Sequence, residues 1–305
     1  MINRAEKRKA LLCIFYSPES LIYDNIKIMK ETKIKDLEIY NLRMDKSIED
    51  KLWFIDKVEE TDIFVDFGCG AGTLLKELYK IYGKTKKYIG YDNNLDMLCI
   101  ARNNCKNTTI IFGHFFDQIK KYIDQNYPGK KVCLIMSSVL HEVYSYIPAG
   151  AEIDEFWKNI KEVLNPDYIA IRDMTWGFDN KHSYREEQAR HLDCCYKISR
   201  LANQDQIKDF ERVIGRKLIS NLRDVTHFLL KYKYVENWDR EVQENYLSYE
   251  ITDVVSELLR DKYKLTYHKF YCLPYLHEQF MKDFDIDFIG NTHYNLLLEK
   301  YDVDC

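Results

Sequence analysis

Apolar residues first fall into a regular pattern at Ile63, where Ile63, Phe64, Val65 and Phe67 run without a helical stripe and predict a short buried strand. From Thr73 the spacing changes, and Leu74, Leu75, Leu78, Tyr79 and Ile81 fall as on an amphipathic helix. The alternation then repeats. A strand begins at Lys87, a helix covers residues 95–104, a strand 108–112, and a helix 118–127 that stops at Pro128-Gly129. Residues 131–136 form a near-continuous apolar run, as suits the buried centre of a parallel sheet. A loop with Pro148 and Gly150, a helix over 153–164, a turn at Asn165-Pro166-Asp167 and a strand over 168–171 follow. Such alternation predicts a parallel sheet with right-handed crossovers.

Beyond Thr175 the alternation stops. Helical patterns cover 184–202, 204–214 and 225–246, then an amphipathic stretch covers 251–260. Residues 265–273 and 293–299 read as two last strands, joined by a connection over 282–291. The predicted organisation is a helical preface over 1–60, a core over 61–174 and 250–305, and a helical insertion over 175–249. In the preface, residues 20–30 and 47–58 carry apolar residues at helical spacing.

Composition changes this picture little. The chain has 305 residues, 46% hydrophobic and 31% charged, with a net charge of -4, which gives no global pull towards nucleic acid. No apolar run reaches the roughly 20 residues needed to span a bilayer. The charged start and the break at Ser17-Pro18-Glu19 do not resemble a signal peptide. Nine cysteines without a C-x-x-C pair read as reduced thiols of a cytoplasmic protein rather than as a zinc site. No membrane association is expected, and the oligomeric state is not legible.

The chemistry concentrates after the first strand. Gly68, Gly70 and Gly72 form a loop between strand and helix, as in nucleotide-type pockets of open α/β sheets. A dinucleotide fingerprint, G-x-G-x-x-G, would place its third glycine where Thr73 stands. Asp92, about 20 residues past the loop, suits the two hydroxyls of a ribose, in NAD as well as in other nucleosides.

Asp66-x-Gly68-x-Gly70-x-Gly72 resembles the first motif of the class I S-adenosylmethionine-dependent methyltransferases. That resemblance covers roughly residues 45–175 and 250–300. It implies an α/β fold: a seven-stranded, mostly parallel Rossmann-like methyltransferase sheet with helices on both faces, here with the helical insertion after the fifth strand. It also implies S-adenosylmethionine as cofactor. Asp66 would compensate the ammonium of its amino-acid end, Asp92 would take the ribose, and Phe116 and Asp117 would hold the adenine ring and its amino group. Ser137, with Ser138, matches the fourth motif and would face the cofactor. Trp53 is a candidate for a further wall.

Methyl transfer is an in-line displacement that needs alignment and, for a protonated acceptor, removal of a proton. His141 and Glu142, just past the fourth strand, are the catalytic candidates: His141 as base, Glu142 to orient it or bind the acceptor. His141 packed beneath the cofactor is the alternative. A metal site built on Asp173 would need further acids where Ser137 and His141 stand, so none is expected. The insertion is the predicted acceptor-binding lid, and His182, Arg185, Arg190, His191 and His227 are its candidate acceptor contacts. Residues 231–240 interleave cations with aromatics, but Phe228, Leu229, Tyr232, Val235 and Trp238 fall near helical spacing and favour a core stripe. The acceptor is expected to be a small molecule or one of modest size. An RNA acceptor and a non-catalytic, cofactor-binding subunit are the alternatives.

Overall fold

The computed structural model describes residues 47–111, 115–147, 150–177, 183–218, 221–260 and 262–301. The stretch 20–30, most of the preface, His182 and Gly113-His114 lie outside them. All described residues belong to one compact unit, Ile34–Cys305.

The chain enters through a short helix, α1 (Ile48–Lys51), and a 3-10 turn, Ile55–Lys57. The single helical stretch predicted for 47–58 is thus broken in two. Its apolar groups turn inward instead: Phe54 is fully buried, and Trp53 stacks on Tyr267 at 5.4 Å. Next come β1 (Ile63–Phe67), α2 (Thr73–Tyr82), β2 (Lys87–Tyr91), α3 (Leu95–Asn104), β3 (Thr109–Ile111) and α4 (Phe115–Asn126). They are followed by β4 (Val132–Ser137), α5 (Leu140–Tyr146), α6 (Ala151–Lys158) and β5 (Tyr168–Met174). A π turn, Asn159–Leu164, prolongs α6 and ends at left-handed Asn165, where Pro166 blocks continuation. Leu140–Tyr146, for which the sequence pattern predicts no element, forms α5.

Helices continue as α7 (Tyr184–Leu201), α8 (Gln204–Ile214), α9 (Leu222–Lys231) and α10 (Trp238–Glu241), then α11 (Ile251–Leu259). The helix predicted over 225–246 therefore ends at Lys231. There the buried amine donates to the carbonyls of Glu241 and Glu244, at 2.7 and 2.5 Å, and folds the chain back on itself. After β6 (Tyr263–Tyr271), α12 (Pro274–Phe284) precedes β7 (His293–Lys300). This helix was not predicted, although Pro274 at its start and Leu276, Phe280 and Phe284 at every fourth position favour it.

The strands form one seven-stranded sheet in the order β3-β2-β1-β4-β5-β7-β6. The first five run parallel, and β7 is antiparallel to both β5 and β6. Alternation along β1 feeds two cores. Ile63 and Val65 join the side chains of α4, α6 and α11, while Phe64 joins those of α2 and α3. A third core gathers α7 to α10 with α12, around Phe210, Phe228 and Phe280. Tyr232 and Trp238 lie in this core, so the aromatics of 228–238 are mostly core residues, while Val235 is exposed. Strand order reverses between β1 and β4, and open α/β sheets bind ligands at the carboxyl ends of strands at such a point. No helix among the described residues is long and apolar enough to cross a membrane, and their cysteines form no disulfide.

Candidate functional site

The glycine loop leaves β1 at this reversal. Gly68, Gly70 and Gly72 all have positive φ, at 76°, 51° and 79°. The amides of Gly68 and Cys69 donate to the Tyr91 carbonyl, at 2.9 and 2.8 Å, and bind the loop to the end of β2. The three glycines do different work. A Cβ at Gly68 would lie 2.7 Å from Val139 Cγ2, and one at Gly72 would lie 2.7 Å from Cys105 Sγ. At Gly70 it would meet nothing within 4 Å. The outer glycines permit packing, whereas the middle one opens onto free space. Gly90 in β2 is a further packing glycine, since a Cβ there would lie 2.7 Å from Leu75 Cδ1 and 2.9 Å from Cys69 Sγ.

Around this space stand three of the predicted polar residues. Asp66 is buried, and burial pushes its carboxyl up to about 7; Lys51 opposes this shift and Asp92 adds to it. Asp92 Oδ2 accepts from the Gly70 amide at 2.8 Å, and Oδ1 accepts from the Asn94 amide at 2.8 Å. Ser137 ends β4, the strand paired with β1, and its buried Oγ has no hydrogen-bond partner. A buried acid without a full counter-charge, an orphaned hydroxyl and an open glycine fit the amino-acid end of S-adenosylmethionine.

The adenine candidates divide. Phe116 lies in an aromatic row with Phe67 at 6.5 Å and Phe156 at 5.7 Å, and Phe67 in turn stacks on Tyr91 at 5.3 Å. It therefore joins the strand ends that carry the loop. Asp117 is exposed in the first turn of α4. Trp53 is taken up by Tyr267 of β6 rather than standing against the loop.

The second half of the site is built on β4 and β5. Ser138 adopts a left-handed conformation, φ 58°, and its amide donates to the Arg172 carbonyl at 2.7 Å. Successive residues of β5 point to opposite faces. Arg172, 2% exposed, turns to Ser138 Oγ at 2.7 Å and Asp50 at 2.5 Å, so it fastens α1 to the sheet. Asp173 turns to α5. Its Oδ1 bonds His141 Nδ1 at 2.8 Å, and its Oδ2 accepts from the His141 amide at 3.0 Å. Since a carboxylate only accepts, His141 donates from Nδ1, and Nε2 is the nitrogen not engaged by Asp173.

His141 is 4% exposed, and burial alone would lower its pKa. Asp173, Glu142 and Glu244 outweigh burial and raise it to about 9. Glu142, half-buried beside it, is pushed up to about 8 by burial, with Glu244 and Asp92 adding and His141 and Arg240 opposing. Packing and a carboxylate pair thus both hold His141 in place.

Sequence patterning missed the third wall. Arg240 pairs with Glu244 and Glu241, and its guanidinium lies 3.7 Å from Glu142. Tyr146 donates to Glu244 Oε1 at 3.3 Å, and the Tyr246 ring meets that of His141 edge-on at 5.2 Å. Ser248 and Ser145 bind this segment to α5 through the carbonyls of His141 and Asn245. Arg240 and Glu244 are four apart, a spacing that reads as a solvated helical pair; only Tyr246 and Leu247 beside them hint at burial. The basic candidates of the helical stretch are used elsewhere. Arg190 pairs with Asp287, His191 lies beside Cys195, and buried His227 accepts from the Tyr246 amide at 3.1 Å. Arg185 is exposed.

Among similar solved structures is the methyltransferase domain of bacterial CtHen1-C, 13% identical, covering 85% of this chain and 99% of its own, with a TM-score of 0.47. A TehB-like SAM-dependent methyltransferase from Corynebacterium glutamicum is 10% identical, covering 87% of this chain and 97% of its own, with a TM-score of 0.41. PKMT2 from Rickettsia typhi, solved in complex with AdoHcy, is 12% identical, covering 80% of this chain and 49% of its own, with a TM-score of 0.41. No curated protein matches the chain. The model of a family described as a methyltransferase domain matches residues 59–242, more than half of the chain. With its glycine loop, flanking acids and seven-stranded sheet, the chain belongs to that methyltransferase family, a class I Rossmann-like enzyme whose methyl donor is S-adenosylmethionine.

Proposed function

We propose that the chain methylates a small-molecule or modest-sized acceptor that enters over the carboxyl edge of β4 and β5. The observation that carries this is the pair His141 and Asp173, set beside Glu142 one strand from the glycine loop. Asp66, Gly70, Asp92 and Ser137 hold the amino-acid and ribose parts of the donor, and Phe116 and Asp117 take its adenine end. When bound, S-adenosylmethionine supplies a methyl group on a sulfonium that is open to in-line displacement. His141 and Glu142 face the acceptor and orient its reacting atom, and they take up its proton once they have released their own, above about pH 8 to 9 in the free protein. The 240–246 segment closes the pocket from the helical side, and the rings of Tyr146 and Tyr246 with Arg240 narrow it towards a compact acceptor.

Transfer of tritiated methyl groups into fractionated cell extract tests the proposal, with small molecules, RNA and protein counted separately. Label confined to the small-molecule fraction supports it. Label in RNA moves the acceptor class to nucleic acid, and donor binding without label in any fraction points to a non-catalytic subunit. His141→Ala should bind donor normally and lose most transfer.

A further inference from the structure

We propose that His141, Glu142 and Glu244 form a binding site for one divalent first-row transition ion at the acceptor side of the cofactor pocket. One potential ligand atom from each of the three lies within 4.8 Å of the others, the one such grouping among the described residues. A cation with bonds of about 2.1 Å sets neighbouring ligands about 3 to 3.4 Å apart, so the side chains need to draw in by up to about 1.5 Å.

Two further observations support the assignment. First, His141 is prepared as a ligand. Asp173 takes Nδ1 at 2.8 Å and the backbone amide at 3.0 Å, which fixes the ring from behind and leaves Nε2 for an ion. Metal-bound histidines are typically backed by a carboxylate in this way. Second, among the described residues the polar contacts of each carboxylate gather on one oxygen. The contacts of Glu244 with Tyr146 and Arg240 fall on Oε1, and that of Glu142 with Arg240 also falls on Oε1. Arg240 is one guanidinium facing three acids, Glu142, Glu241 and Glu244, with Asp173 behind the imidazole.

One nitrogen and two carboxylate oxygens suit Mn²⁺, Fe²⁺ or Zn²⁺ better than an all-oxygen ion such as Ca²⁺. Three protein ligands leave open positions, which an oxygen or nitrogen of the acceptor can fill. The inference rests on the pocket being the acceptor side. It specifies that His141 and Glu142 act on the acceptor through the ion.

Binding is measured directly on the full chain after chelator treatment, by titration with Mn²⁺ alone followed by electron paramagnetic resonance, and with Zn²⁺ alone followed by calorimetry. One ion per chain is expected. Glu142→Gln and Glu244→Gln should each weaken it at least tenfold, Asp173→Asn by about 10- to 100-fold, and the exposed control Asp124→Asn should leave it unchanged. Glu142 is partly exposed, so Glu142→Gln remains informative if Glu244→Gln fails to fold. Absence of stoichiometric binding by both ions, or equal binding in the wild type and the two glutamine variants, would overturn the proposal. S-adenosylmethionine binding to the same chelated protein is read separately, so loss of the ion site and failure of the methyltransferase assignment are distinguishable.

Discussion

Asp66 gives the sharpest test of the cofactor half of the site. Burial raises its carboxyl from an ordinary 3.8 to about 7, against Lys51 on α1 and with help from Asp92 after β2. Below pH 7 the free protein therefore holds a proton on Asp66 that an unfolded chain has already released. This acid destabilises the native state as pH rises from about 4 to 7, by roughly 4 kcal/mol in all. A bound sulfonium and ammonium favour the carboxylate, so donor binding expels that proton. Affinity for S-adenosylmethionine should then be flat above pH 7 and fall below it, by about tenfold at pH 6 and about 100-fold at pH 5. Calorimetry in buffers of different ionisation enthalpy should show close to one proton released per donor at pH 6. Asp66→Asn should flatten the profile, weaken binding at pH 8 by about 10- to 100-fold, and raise the melting temperature of the free protein at pH 8 but not at pH 4. Binding with no proton release and the same pH profile in both proteins would refute the role of Asp66.

The glycines separate packing from binding. Gly72→Ala forces a Cβ against Cys105 at positive φ and should cost about 2 to 4 kcal/mol in chemical denaturation, whereas Gly70→Ala should cost only about 1 to 2 kcal/mol of backbone strain yet weaken donor binding more than tenfold. Asp173→Asn keeps the shape of the β5 end but frees the His141 ring, so transfer should drop by about 100-fold or more while donor affinity holds; unchanged turnover would remove Asp173 from the site. Asp50→Ala leaves Arg172 buried without its carboxylate, and a loss of about 3 kcal/mol is expected in equilibrium unfolding.

Much of the sheet was readable because the local signals are strong and short-ranged. Ile63 to Phe67 cannot form a helical stripe, and the glycine turn follows at once, so strand, loop and helix were placed within a residue or two. The donor side was legible for the same reason, since Asp66 and its glycines sit within seven residues of chain. The cluster around His141 joins segments about 100 residues apart: Tyr146 to Glu244, and His141 to Ser248. No local pattern reports such a meeting. Asp173 was visible as an acid at a strand end, but its bond to His141 depends on how α5 turns after left-handed Ser138. The lost helix after Lys231 has the same origin, because a lysine in an apolar stripe reads as solvated until the carbonyls that receive it are known.

That buried lysine has a consequence for how the protein can open. Lys231 belongs to the helical core, which packs separately from the cores against the sheet, and it ties down the turn that carries Glu244 and Tyr246. Burial pushes its amine down to about 7, against the pull of Glu241 and Glu244, so little separates its two protonation states near neutrality. Loosening of α9 alone would release the third wall while β1, β4 and the glycine loop stay folded. Amide exchange in 240–248 should then follow α9 rather than β4, and the wall that carries Glu244 should melt away from a protein that still holds its methyl donor.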